Sequence, residues 1–181
     1  GMALFAIAMY RKGEKKHPNK IALSWTLGTA IVSFVGAGLL GLAHTLPGVN
    51  MYTHGTLVTA MHGHLAFWGA YGMIVLAFIS YSLPNLTGRK LYDSTTGLLA
   101  FWLSNIGMVG MTVAFGVAGV AQVYLERKVG LEFGDVQKEI QVHFVILAAC
   151  ATLFTTGISC YIYEFVKYGR PNDEALETSS N

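Results

Sequence analysis

Charge is what this sequence has least of. Only 12% of its 181 residues are Asp, Glu, Lys or Arg, about half the share of an ordinary soluble domain. They are also unevenly placed, with none at positions 21–88, 94–125 or 140–163. A soluble domain of this size could not keep such runs out of water, whereas a membrane-spanning helix needs about 20 predominantly apolar residues. The first run has room for two spans and the others for one each. The formal net charge is only +2 and the lysines fall in a loop rather than along a recognition face, which argues against nucleic acid as a partner. Cysteine is scarce too: Cys150 and Cys160 lie ten positions apart in one apolar run. On a helix that separates them by roughly 15 Å, beyond the reach of a disulfide, so both read as small core residues. A secretory signal is not evident, because the apolar stretch 3–10 is short and its basic residues follow it. That stretch reads as the tail of a helix beginning further upstream.

What is present is apolar length. Spans are expected over residues 21–45, 54–83, 95–124 and 140–166, after the end of a fifth at 3–10. The fold class is all-α, a polytopic transmembrane helix bundle forming a single domain over 1–181. Pro18-Asn19 separates the basic loop from the first full span, and Pro47 closes that span. Residues 48–53 read as a charge-free turn, Pro84 to Gly88 as the end of the second span, and 126–139 as a mixed-charge loop. Arg11, Lys12, Lys15, Lys16, Lys20, Arg89, Lys90, Lys167 and Arg170 collect on one side, against Arg127, Lys128 and Lys138 on the other. The first side, with the C-terminus, is therefore expected to be cytoplasmic. Small residues recur at helical spacing: Gly36, Gly38 and Gly41; Ala66, Gly69 and Gly72; Gly107 and Gly110; Gly116 and Gly119. Such ridges let helix backbones approach closely in lipid. Gly36 to Gly41 also spells GxGxxG, but mid-helix and with no strand before it, so it is not read as a nucleotide site.

Ionisable groups inside a span are costly and need a partner or a task. His62-Gly63-His64 places two of them one residue apart. At 100° per residue they point about 200° apart, so they cannot share one metal on a regular helix but can serve two sites. An imidazole nitrogen is a common axial ligand of haem iron, and Gly63 adds no bulk between them. The bland alternative is a pair of structural histidines bonding neighbouring helices. The span descends from the outer face, which puts His62 about 12 Å below its start, in the outer half of the bilayer. Phe67 and Trp68 could flank a haem, although Trp68, Tyr71, Trp102 and Tyr161 have spacings that suit packing. His17 and His143 are expected to face water or headgroups, and Glu164 to sit in a last helical turn at the cytoplasmic surface. The Asn85-Leu86-Thr87 sequon is expected to be inert on that side.

The stretch HTLPGVNMYTHGTLVTAMHGHLAFWGAYGM, from His44 to Met73, closely resembles the haem-ligating region of the nitric oxide reductase large subunit, a divergent member of the haem-copper oxidase superfamily. FWLSNIGMVGMT, from Phe101 to Thr112, and QVYLER, from Gln122 to Arg127, look like that family's next helix and loop. The resemblance covers nearly the whole chain in register and is weakest after Gln141.

It implies that His62 is the catalytic position, the proximal ligand of the high-spin haem b3 where substrate binds. It likewise implies that His64 is one axial ligand of the low-spin haem b. The implied reaction reduces two NO to N2O and water with two electrons and two protons. Electrons would come from a cytochrome c partner subunit, or from quinol, and pass through haem b to haem b3 and a non-haem iron. In the family that iron is held by three histidines and a glutamate on earlier helices, which also carry the second histidine of haem b. The chain is therefore expected to be the C-terminal fragment of a larger catalytic subunit in a bacterial inner membrane, and not to turn over alone. His54, at the outer mouth of the same helix, about two turns before His62 and roughly 80° around the axis, is a candidate partner for a haem propionate. His44 and Thr56 are weaker versions of the same idea. Two other readings stay open: a haem-copper terminal oxidase reducing O2, which shares the His-x-His step, and a non-catalytic membrane b-type cytochrome.

Overall fold

The computed structural model describes residues 19–88 and 95–168. The expected helix tail at 3–10, the basic loop with His17, Arg89 and Lys90, and Arg170 lie outside the described residues. Among the described residues, four helices are long and apolar enough to cross a membrane: α1 (Lys20–Thr45), α3 (Leu57–Thr87), α4 (Thr95–Val129) and α6 (Gln141–Tyr168). Two short helices connect them, α2 (Pro47–Thr53) and α5 (Phe133–Glu139). The described residues contain no strand.

The stretch 48–53 is thus a helix rather than a turn. Leu46 is extended, the conformation a following proline favours, and Pro47 then opens α2 at a first-turn position where its missing N–H costs nothing. The stretch 126–139 is likewise structured, by a π-helical turn (Leu125–Val129) and by α5.

Pro84 does not end the second span. The helix runs through it to Thr87 and stops at Gly88, whose φ of 64° is left-handed. Proline has no N–H to give the carbonyl four residues back, so Ser80 O is left without its helical donor. Asn19 Nδ2 donates to that oxygen at 2.8 Å from the neighbouring helix. Asn19 Oδ1 meanwhile accepts from Ala22 N–H at 2.9 Å and caps α1. One buried side chain therefore starts the first span and repairs the second.

Most of the ridge glycines pack against a neighbouring helix as expected, whereas Gly38 and Gly72 face only their own helix. A Cβ on Gly36 would meet the Leu65 and Ala66 backbone at 2.7 Å, and one on Gly69 would meet Ser33 N at 2.6 Å. These contacts cross α1 and α3 where each carries a π-helical segment, Phe34–Leu40 and Trp68–Gly72. Gly107 lies against the backbone of Cys150 and Phe154, joining α4 to α6, and Gly119 lies against Leu57 and Val58, joining α4 to α3. Cys150 and Cys160 are both free. At the centre Trp25 is fully buried, edge-on to Phe101, Tyr161 and Trp68 at 5.1, 5.7 and 6.0 Å. The outer surface shows Phe34, Phe78, Val120 and Val145, each more than 60% exposed, an apolar coat suited to lipid or to further helices.

Candidate functional site

The two histidines lie in the regular α-helical part of α3, Leu57–Phe67, so the opposed directions expected from their spacing hold. His62 is half-buried and faces α1, where its Nδ1 lies 2.9 Å from Gly36 O. His64 is exposed and turns to α4, its ring 4.8 Å from that of Phe115, with Nδ1 2.8 Å from Ala60 O one turn back. A carbonyl oxygen can only accept, so Nδ1 carries the hydrogen in both rings and each Nε2 presents its lone pair outward. That is the arrangement of a metal-ligating histidine, one nitrogen fixed by a carbonyl and the other free to ligate.

Each ring has distinct surroundings. Beside His64 is an apolar groove of about 690 Å³, lined by Ala60, Gly63, Phe67, Trp68, Met108 and Phe154 among others. Its volume lies within the range of cofactor sites, and nothing comes within 4 Å of a Cβ placed on Gly63. Of the aromatics named as possible haem neighbours, Phe67 is exposed in this groove. Trp68 is mostly buried and donates from Nε1 to Asn105 Oδ1 at 3.2 Å. The donor set and the groove fit a planar tetrapyrrole on His64.

On the other side the ring of His44 stacks on that of His62, 4.9 Å between centroids and 23° between planes. His44 Nδ1–H donates to Leu40 O at 2.9 Å, while its Nε2 is buried with no hydrogen-bond partner. A Cβ on Gly41 would lie 3.4 Å from His62 Cε1, about van der Waals contact. Sequence reasoning reaches His44 only as a weak propionate candidate. Its contact with His62 joins residues 18 positions apart on different helices, and no local pattern encodes it.

His54 is not on α3. It caps the end of α2 in extended conformation and is exposed, so the angle of 80° to His62 does not apply. The helix begins three residues later because Thr56 is its cap: its Oγ1 accepts from Val58 N–H at 3.3 Å and donates to Thr53 O at 2.7 Å. Gln122, which the sequence does not single out, is buried and accepts the Leu57 N–H at 2.9 Å. His143 is half-buried at the start of α6. Glu164, expected at the surface, is only 5% exposed. Among the described residues, no three of His, Cys, Asp and Glu come together as a metal site.

Among the described residues, three apolar spans packed with a fourth that holds two oppositely directed imidazoles define a multi-span membrane protein of the haem-copper oxidase subunit I type. The chain belongs to the family Cytochrome C and Quinol oxidase polypeptide I, which it matches over residues 1–153. It is 40% identical to the nitric oxide reductase B subunit of Stutzerimonas stutzeri, over 93% of this chain and 37% of that protein. It is 28% identical to a probable cytochrome c oxidase subunit 1 of Bradyrhizobium diazoefficiens, over 84% of this chain and 22% of that one. Against cytochrome c oxidase subunit 1 of Thermus thermophilus the identity is 27%, over 51% and 17%. The chain thus spans little more than a third of its reductase relative's length.

Proposed function

We propose that this chain is the haem-ligating C-terminal part of a nitric oxide reductase catalytic subunit, which reduces two NO to N2O and water with two electrons and two protons. His62 is assigned to the high-spin haem b3 and His64 to the low-spin haem b. The observation that carries this reading is the pair of Nδ1–H bonds to Gly36 O and Ala60 O, which free both Nε2 lone pairs on opposite sides of one helical turn. When bound, the haems supply the substrate site and the electron path, with a non-haem iron held by residues outside this chain. Because one helix carries both ligands, the two sites stay close and fixed relative to each other. Gly36 O sets the His62 ring plane, and the stacked His44 limits its rotation.

His54 remains in this reading the solvent-side candidate to donate to a haem propionate, whereas His44, whose Nδ1–H is given to Leu40 O, meets a propionate through Nε2 only as the imidazolium. A cytochrome c subunit or quinol is the proposed electron source, in a bacterial inner membrane with the C-terminus inside. The reductase is favoured over an oxygen-reducing oxidase by 40% identity across nearly the whole chain, against 28% and 27% for the two oxidase subunits.

The test is paired NO and O2 electrode traces on the intact complex, fed by a reduced artificial donor. NO uptake yielding one N2O per two NO, with little O2 uptake, is expected. Dominant O2 uptake would move the protein to the oxidases, and inactivity with both haems present would favour the non-catalytic cytochrome.

A further inference from the structure

Far from the histidines, α1, α3, α4 and α6 meet around a small cavity that holds a few polar groups. Ser80 is 16 residues beyond His64, about 24 Å along the helix. A cavity of about 10 Å³ is lined there by Ile21, Ser80, Tyr161, Glu164 and Phe165, the room needed by one water molecule. Glu164 is 5% exposed, and its Oε1 is buried with no hydrogen-bond partner. The other carboxyl oxygen accepts the Gly97 N–H in the first turn of α4, one of the N–H groups a helix leaves unpaired at its start. A Cβ on Gly97 would sit 2.9 Å from that oxygen. Lys167, three residues on, is the charged group that acts on the carboxyl.

The hydrogens around the cavity can be assigned. Tyr161 Oη donates to Leu76 O at 2.9 Å, so in its 3.0 Å contact with Ser80 it is Ser80 Oγ–H that donates. Ser80 Oγ keeps lone pairs to accept with, and Glu164 Oε1 accepts as well. Two acceptors beside a water-sized cavity match the two hydrogens of one water, and a buried carboxyl oxygen left unpaired is costly.

We infer that this cavity is a binding site for a single internal water, which donates to Glu164 Oε1 and to Ser80 Oγ and so ties α6 to the histidine-bearing α3 and to the start of α4. The inference does not depend on which gas the enzyme reduces.

The test joins a density map of the intact holoenzyme, at a resolution that shows ordered water, to a double-mutant cycle. The map is expected to show one peak at about 2.8 Å from both oxygens. In thermal melts of the holoenzyme, Ser80→Ala and Glu164→Leu are each expected to lower the midpoint. The double variant should fall short of the sum, because each removes an acceptor of the same water. Glu164→Gln, whose amide can still bond the water, is expected to be milder than Glu164→Leu, and if the leucine variant fails to assemble, the density map decides. No density, with Glu164 Oε1 bonded to a protein group instead, overturns the inference. Fully additive losses do the same.

Discussion

At the residue scale the histidines differ in what surrounds them, so their variants should fail differently. His64→Ala in the intact enzyme is expected to remove the low-spin haem signal and leave a CO-reactive haem, and His62→Ala to do the reverse, each read by optical spectra of the purified complex. Equal loss of both haems from each variant would indicate misfolding and sink the two assignments. His44→Ala should keep both haems but alter the iron–histidine vibration of the His62 site, because the stacked ring is a positioning group and not a ligand. An unchanged vibration would remove it from that role. The His-Gly-His step was legible in the sequence because its meaning lies in the pitch of one helix. The stacking of His44 and the burial of Glu164 were not, since both depend on which helix comes alongside.

At the element scale the interruptions matter most. Asn19 Nδ2 is the donor that Pro84 cannot supply to Ser80 O. Asn19→Leu should therefore leave a buried carbonyl unpaired and cost about 1–3 kcal/mol, measured as a lowered holoenzyme melting temperature. In a Pro84→Ala background, where residue 84 regains an N–H, the same change should cost clearly less. Equal costs in both backgrounds would show that Asn19 acts only as the cap of α1. Gly36 and Gly69 occupy the crossing of α1 and α3, where any side chain meets backbone. Gly36→Val should cost at least about 1–3 kcal/mol by overpacking and disturb the haem proposed for His62 more than the one proposed for His64, because of the two rings Gly36 O bonds only that of His62. Uniform loss of both spectra would assign Gly36 to general packing. The ridges themselves could be read from glycine spacing. Continuation of α3 through Pro84 could not, because it rests on a donor 61 residues away along the chain.

At the scale of the whole molecule, four antiparallel spans put Lys20, Thr87 and Lys167 at one end and His54 and Gly130 at the other. The excess of Lys and Arg near the first end predicts that it faces the cytoplasm. A cysteine placed at Gly130 should react with a membrane-impermeant thiol reagent added outside, and one at Thr87 only after the membrane is opened. The opposite pattern would invert the topology. Cys150 and Cys160 sit within a span and should give little background.

Composition, charge spacing and helix pitch determined on their own that this is a membrane bundle, how many full spans its described residues form and which of them carries the paired imidazoles; the start of that helix, at Leu57 rather than His54, they did not. Those properties follow from the cost of burying charge in lipid and from the fixed pitch of a helix, both of which are local to the chain. Only the tertiary structure decided that Gly36 O and Ala60 O fix the two rings with Nε2 outward, that His44 backs His62 and that Asn19 repairs Pro84. It alone enclosed Glu164 with a water-sized cavity. Each of these needs a donor and an acceptor, or two faces, brought together by helix packing, and spacing along one helix does not specify its neighbours.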